Sequence, residues 1–130
     1  MKDKLNILLV DDDKRMTSTL ADILILAGYE PVQAWTANQA LELARSGDFD
    51  CVLTDIRMPG MGGVEATKRI KGRHPGIVIL ILTTFDDDGY IIDALRYGAS
   101  GYLLKDIEGE RLIKSIYEAL SGNLLLTGRV

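Results

Sequence analysis

The sequence predicts an α/β fold: one doubly wound sheet of five parallel strands. Three observations carry this. Apolar runs at 5–10, 51–55, 77–83 and 100–104, with a shorter mixed run at 30–35, largely lack the alternation of half-exposed strands, as expected of strands covered on both faces. Between them lie segments whose apolar residues recur at helical spacing. The connections are short, which suits right-handed crossovers between parallel neighbours.

Leu5 to Val10 ends in Asp11-Asp12-Asp13, so the first strand stops in charge, and Asp12 or Asp13 can cap the helix that follows. Met16, Leu20, Ile23, Leu24 and Ala27 form that helix's inward stripe, closed by Gly28. Pro31 places the second strand near a sheet edge, where a missing N–H does little harm. Thr36 or Asn38 starts a second helix with Ala40, Leu41 and Ala44 inward, ending at Ser46-Gly47. The third strand stops at Asp55, because Pro59, Gly60, Gly62 and Gly63 deny the chain a regular element until Val64. Val64, Thr67 and Ile70 mark a third helix, broken by Gly72 and Pro75. Ile77 to Thr83, rich in β-branched residues, reads as a central strand. Asp86, Asp87 and Asp88 open a fourth helix, where the helix dipole favours negative charge; Ile91, Ile92 and Leu95 follow, and Gly98 stops it. Ser100 to Leu104 is the fifth strand. Leu112, Ile113, Ile116 and Leu120 are the inward stripe of the last helix. The tail 123–130 fits none of these units and reads as the start of a linker, leaving residues 1–122 as the domain.

The 130 residues suit one domain, and 47% hydrophobic with 26% charged residues is an ordinary globular mix. No apolar run approaches the roughly 18 residues of a membrane span. A cytoplasmic protein without membrane contact is expected. Cys51 is the only cysteine, which rules out an internal disulfide or thiolate cluster in this chain. A net charge of −4 lacks the basic footprint of a nucleic-acid binder, so no nucleic acid is expected to bind these residues.

If the strands are parallel, Asp11, Asp12, Asp55, Thr83 and Lys105 share one edge of the sheet. Ligands of open parallel sheets bind beyond the carboxyl ends of the strands. Clustered carboxylates repel, and Lys105 neutralises only one charge, so a cation or proton must join them. Hard oxygen donors suit Mg²⁺, or Mn²⁺ in its place. An ionised Asp55 beside such an ion can attack phosphorus and become an acyl phosphate without a general base. The Lys105 ammonium and the Thr83 hydroxyl can stabilise the transition-state oxygens. His74, the only histidine, sits in a turn and is expected to be exposed.

ILLVDDD at 7–13, VLTDIRMPGMGG at 52–63, ILTT at 81–84 and GASGYLLKD at 98–106, in this order and spacing, resemble the receiver domain of two-component response regulators. The resemblance implies a flavodoxin-like sheet of order 2-1-3-4-5 and a phosphoryl group passed from a sensor histidine kinase to Asp55. It implies Mg²⁺ held by Asp11, Asp12, Asp55 and the Arg57 backbone carbonyl. Thr83 and Tyr102 are implied as a switch pair and Lys105 as the phosphate-binding cation. The output surface would be the fourth helix, fifth strand and fifth helix, with Arg96, Tyr102, Arg111 and Tyr117 as contacts and a homodimer among its uses. Asp106 stands where the family commonly has Pro, and LLKD with TTF resembles the LuxR/NarL-type subgroup, which carries a C-terminal helix-turn-helix effector and regulates transcription. Such a chain is a phosphoacceptor that catalyses only its own phosphorylation and slow dephosphorylation.

Three rivals remain in view. A stand-alone receiver would act through protein contacts alone. An aspartyl-phosphate phosphatase would need a second acid two residues after Asp55, where Arg57 stands. A flavin or nucleotide module would need phosphate-cradling N–H groups where Asp11 to Asp13 would repel the ligand.

Overall fold

A computed structural model describes residues 5–46, 48–84, 88–122 and 125–126, with backbone alone for Asp88, Leu125 and Leu126. Its strands are β1 (Asn6–Val10), β2 (Glu30–Ala34), β3 (Cys51–Asp55), β4 (Val78–Thr83), β5 (Gly101–Leu104) and β6 (Leu125–Leu126). The helices are α1 (Lys14–Leu26), α2 (Ala37–Ala44), α3 (Gly63–Arg73), α4 (Asp88–Arg96) and α5 (Gly109–Leu120). The strands form one parallel sheet of order β2-β1-β3-β4-β5-β6. The first five follow the expected order 2-1-3-4-5. The two-residue β6 is an addition, since its residues lie in the segment read as a linker.

Strand alternation sorts the core into two halves. Leu8, Val52, Ile79, Ile81 and Tyr102 pack toward α2, α3 and α4. Ile7, Leu9, Leu53, Leu80, Leu82 and Leu103 pack toward α1 and α5. Because both faces are covered, β3 is buried at every position, which explains its unbroken apolar run.

Local signals set the helix ends. Asp13 caps α1, its Oδ1 accepting from the N–H groups of Arg15 and Met16 at 3.0 and 3.3 Å. Thr36 caps α2 by accepting from Gln39 N–H at 3.0 Å. Gly28 follows α1 with φ of 92°, a left-handed conformation that glycine adopts without strain.

The structure departs from sequence expectation at several places. The third helix continues through Gly72 to Arg73, because one glycine weakens a helix without ending it. Ile92 is exposed, and Ala94 holds the buried position on α4 instead. Ala27 lies exposed at the C-cap of α1, whose buried stripe includes Thr17 and Ala21. His74 is half-buried as the C-cap of α3. Gly47, Asp86 and Asp87 lie outside the described residues. Among the described residues no helix is long and apolar enough to cross a membrane.

Candidate functional site

Strand register delivers the expected residues to one rim. Val10 pairs with Thr54, Asp55 with Leu82, and Thr83 with Leu104, so Asp11, Asp55, Thr83 and Lys105 all stand at or just beyond the strands' carboxyl ends. Backbone bonds carry the ladder past the last side-chain layer: Asp11 N–H donates to the Ala34 carbonyl at 3.1 Å and Lys105 N–H to the Thr83 carbonyl at 2.9 Å. Asp11 and Lys105 are therefore anchored to the sheet by their own backbone N–H groups.

Lys105 binds the site together. Its Nζ lies 2.7 Å from Asp11 Oδ2 and 3.1 Å from Asp55 Oδ1. Asp11 and Asp55 are buried and Asp12 is exposed. Carboxylate oxygens of Asp11, Asp12 and Asp55 lie within 4.8 Å of one another. Asp11 Oδ1 accepts from Asp13 N–H at 3.0 Å. The buried Oδ2 meets the Lys105 ammonium as an ion pair but receives no directed hydrogen bond. One ammonium is thus left to compensate two buried carboxylates.

The electrostatics follow from crowding. Burial raises the Asp55 carboxyl to about 6, and the neighbouring Asp11 adds to the shift; Lys105 and the Arg57 N–H oppose both. Burial also raises Asp11, against the pull of Lys105 and of the Asp13 N–H. Burial works against the charge on Lys105, yet its two carboxylate partners outweigh this and leave its ammonium harder to deprotonate than usual. Lys105 thus stays charged at any physiological pH, and the two buried carboxylates share a single cation.

These residues fit a hard divalent cation. Three carboxylates within reach of one point, all oxygen donors, and a buried oxygen lacking a directed donor are what Mg²⁺ or Mn²⁺ would satisfy. The rim also opens onto a cavity of about 440 Å³ lined by Asp13, Met16, Thr84, Lys105 and Asp106.

The switch candidates occupy different settings. Thr83 is buried at the end of β4. Tyr102 is 7% exposed, packed on the α2–α4 side of the sheet and paired in register with Ile81. Arg96, Arg111 and Tyr117 are exposed, so Tyr102 alone of the four expected contacts lies inside.

Sequence reasoning missed one site residue with a clear role. A Cβ on Gly63 would collide with the backbone carbonyl of Asp55 and crowd Ile56 Cα. Gly63 N–H donates to the Ile56 carbonyl at 3.0 Å, and the buried Thr67 hydroxyl donates to the Gly63 carbonyl at 2.7 Å. The signal was present as a glycine opening a helix eight residues after Asp55, but only the tight approach distinguishes it from Gly62. Arg57 was legible only as a backbone ligand; its guanidinium carbon lies 5.2 Å from the Tyr90 ring centroid, tying the β3–α3 loop to α4.

Residues 7–117 match the response regulator receiver domain. The chain belongs to that family. The receiver is 40% identical over 124 residues to the transcriptional regulatory protein LnrK of Bacillus subtilis, covering 94% of this chain and 56% of LnrK. It is 33% identical over 123 residues to the nitrate/nitrite response regulator protein NarL of Escherichia coli, covering 93% of this chain and 57% of NarL. It thus spans a little over half the length of these two relatives. A CheY-like receiver domain crystal structure from Methanospirillum hungatei superposes with a TM-score of 0.87 at 29% identity, covering 92% of this chain and 95% of that one. The receiver is accordingly a signalling domain of two-component response regulators, related to transcriptional regulators.

Proposed function

We propose that Asp55 is the phosphoacceptor of this receiver and that a sensor histidine kinase is its donor. The observation that carries this is Lys105 bridging Asp11 and Asp55, at 2.7 and 3.1 Å. It pins the Asp55 carboxylate at the rim while keeping a fixed positive charge where phosphoryl oxygens would arrive. With its carboxyl raised only to about 6, Asp55 is mostly ionised near pH 7.5 and needs no base. Its oxygen attacks phosphorus, the bond from phosphorus to the donor nitrogen breaks, and the departing imidazole is neutral after taking a proton from solvent. Lys105 stays protonated throughout and follows the charge from Asp55 to the phosphoryl oxygens. The Thr83 hydroxyl donates to one of those oxygens.

Asp11, Asp12, Asp55 and the Arg57 backbone carbonyl are the residues to hold Mg²⁺ or Mn²⁺. When bound, the ion supplies charge neutralisation that lets a phosphoryl group approach three carboxylates. Hydrolysis of the acyl phosphate should be slow, because Arg57 stands where a phosphatase of this type would place its acid.

Output is proposed to run through Thr83 and Tyr102 to the α4–β5–α5 surface, serving a partner, a second copy of the receiver or a transcriptional effector. The names of LnrK and NarL support a transcriptional output. Residues 1–122 form the receiver in this reading, with β6 in the following linker segment added to its sheet edge, in a cytoplasmic protein. A stand-alone receiver acting through protein contacts is the second reading, and the exposed Tyr90, Tyr97 and Tyr117 suit it equally.

Incubation with Mg²⁺ and a small acyl-phosphate donor, followed by intact mass measurement, tests the phosphoacceptor. The protein gains one phosphoryl group and the Asp55→Asn variant gains none. A gain that survives in the variant refutes the assignment.

A further inference from the structure

A second charged feature lies away from the acidic rim. The facing sides of α2 and α3 enclose a groove of about 770 Å³, lined by Arg45, Lys68, Arg69 and Arg73 against a single acid, Glu42, with Leu41 at one wall. This is a basic strip on a chain of net charge −4. Three of its four cations, Lys68, Arg69 and Arg73, lie at helical spacing on α3, and Arg45 at the C-cap of α2 adds the fourth from across the groove.

Ordinary structural roles explain part of it. Arg45 and Arg73 sit at the ends of α2 and α3, where the helix dipole favours cations. Arg45 pairs with Glu42 at 3.2 Å, and Arg69 with Glu65 at 2.8 Å. Lys68 is mid-helix with its ammonium 5.3 Å from the Tyr97 ring centroid, and the dipole does not ask for it. Gly72 is also unexplained by packing. Glycine is the poorest helix former after proline, yet a Cβ at 72 would meet nothing within 4 Å. The missing side chain keeps the groove open between Lys68 and Arg73.

We propose that this groove is a docking site for an acidic polypeptide segment of a partner protein. Its cations offer carboxylates two kinds of donor, the forked guanidinium groups and the Lys68 ammonium. Glu42 and Glu65 already pair with Arg45 and Arg69, so Lys68 and Arg73 supply most of the attraction for an incoming carboxylate. A nucleic acid fits less well. The acidic chain as a whole repels a long polyanion, whereas a short segment senses mainly charges within a Debye length of about 8–10 Å. Leu41 offers such a segment one apolar contact that a phosphate backbone would not use.

The test is fluorescence anisotropy with a labelled Glu-rich peptide and, as competitor, a short DNA duplex. The wild-type receiver binds the peptide saturably and loses affinity as salt rises. Lys68→Glu and Arg73→Glu each weaken binding about ten-fold. Lys114→Glu on α5 changes the net charge equally and leaves affinity within two-fold. Gly72→Leu fills the groove without altering charge and weakens binding at least five-fold, which separates a groove from a diffuse field. Circular dichroism and acyl-phosphate labelling of Asp55 confirm that each variant is folded. An equal loss with Lys114→Glu, tighter binding of the duplex than of the peptide, or no saturable binding overturns the proposal.

Discussion

Gly63 and Asp55 are in backbone contact: the first residue of α3 lies so close to the end of β3 that any Cβ at 63 would strike the Asp55 carbonyl. The reactive carboxylate and the helix beside it are therefore positioned by one glycine. Gly63→Ala should destabilise the receiver by about 1–3 kcal/mol, the usual cost of overpacking, and slow phosphorylation of Asp55. Gly72→Ala, in the same helix with open space around it, should be neutral or stabilising by up to about 1 kcal/mol. Urea unfolding and acyl-phosphate labelling of both variants check this, and equal behaviour of the two would remove the role assigned to the contact.

Asp55 makes metal-free stability depend on pH in an unusual direction. Its carboxyl is raised by burial and by Asp11 from 3.8 to about 6 in the folded chain. The folded state thus binds a proton more tightly than the unfolded state, so this contribution is fully present below about pH 4 and lost as pH rises through 6. Asp55→Asn should therefore stabilise the metal-free protein at pH 7.5 by on the order of 2 kcal/mol, and far less at pH 4. Unfolding in the presence of a chelator at both pH values measures the difference. A variant no more stable than the wild type at pH 7.5 contradicts the electrostatic account.

Millimolar Mg²⁺ should relieve the same repulsion. The midpoint of thermal unfolding should rise with added ion at pH 7.5, and less at pH 5, where protons compete for the carboxylates. Asp12→Ala should abolish most of the rise while leaving metal-free stability nearly unchanged, because Asp12 is exposed. A rise of the same size in that variant would take Asp12 out of the ligand set.

Lys105 is the sole cation within ion-pair distance of Asp11 and Asp55 among the described residues. Lys105→Met keeps the length of the side chain and removes the charge, leaving two buried carboxylates uncompensated. The expected loss at pH 7.5 is about 3 kcal/mol, with at least a ten-fold slower phosphorylation. Stopped-flow labelling and urea unfolding read the two effects separately, and retention of the wild-type rate would show that the ammonium does not assist transfer.

Tyr102 is packed inside, so its ring and its hydroxyl can be separated. Tyr102→Ala should cost about 3–5 kcal/mol for the cavity it leaves, whereas Tyr102→Phe keeps the ring and should cost no more than about 1.5 kcal/mol, the usual net contribution of a hydrogen bond. If phosphorylation draws Thr83 inward and the ring follows, the Phe variant should retain binding to a phosphorylation-dependent partner and the Ala variant should lose it. Similar affinities for the two would argue against any specific use of the ring.

How much of this was legible beforehand depended on the range of the interaction. Continuous apolar runs ending in Asp11, Asp55, Thr83 and before Lys105 specify parallel, doubly covered strands, and parallel strands put those residues on one edge by necessity. Fold class and the membership of the rim followed from that local information, whereas the strand order came from the resemblance to receiver domains. Helix details were less secure, since the pattern containing Ile92 and Ala94 allows more than one rotation of the helix. Packing against α3 and the sheet chose the face that buries Ala94.

Tertiary structure alone decided that Lys105 touches both Asp11 and Asp55, that Tyr102 lies inside, and that Gly63 rather than Gly62 meets the Asp55 carbonyl. It also decided that Lys68 and Gly72 share a groove with Arg45. Periodicity reports which face of an element is apolar, because burial repeats every turn or every second residue along one element. Contact between side chains tens of residues apart depends on strand register and on the distance between helices, and no single stretch of sequence encodes either.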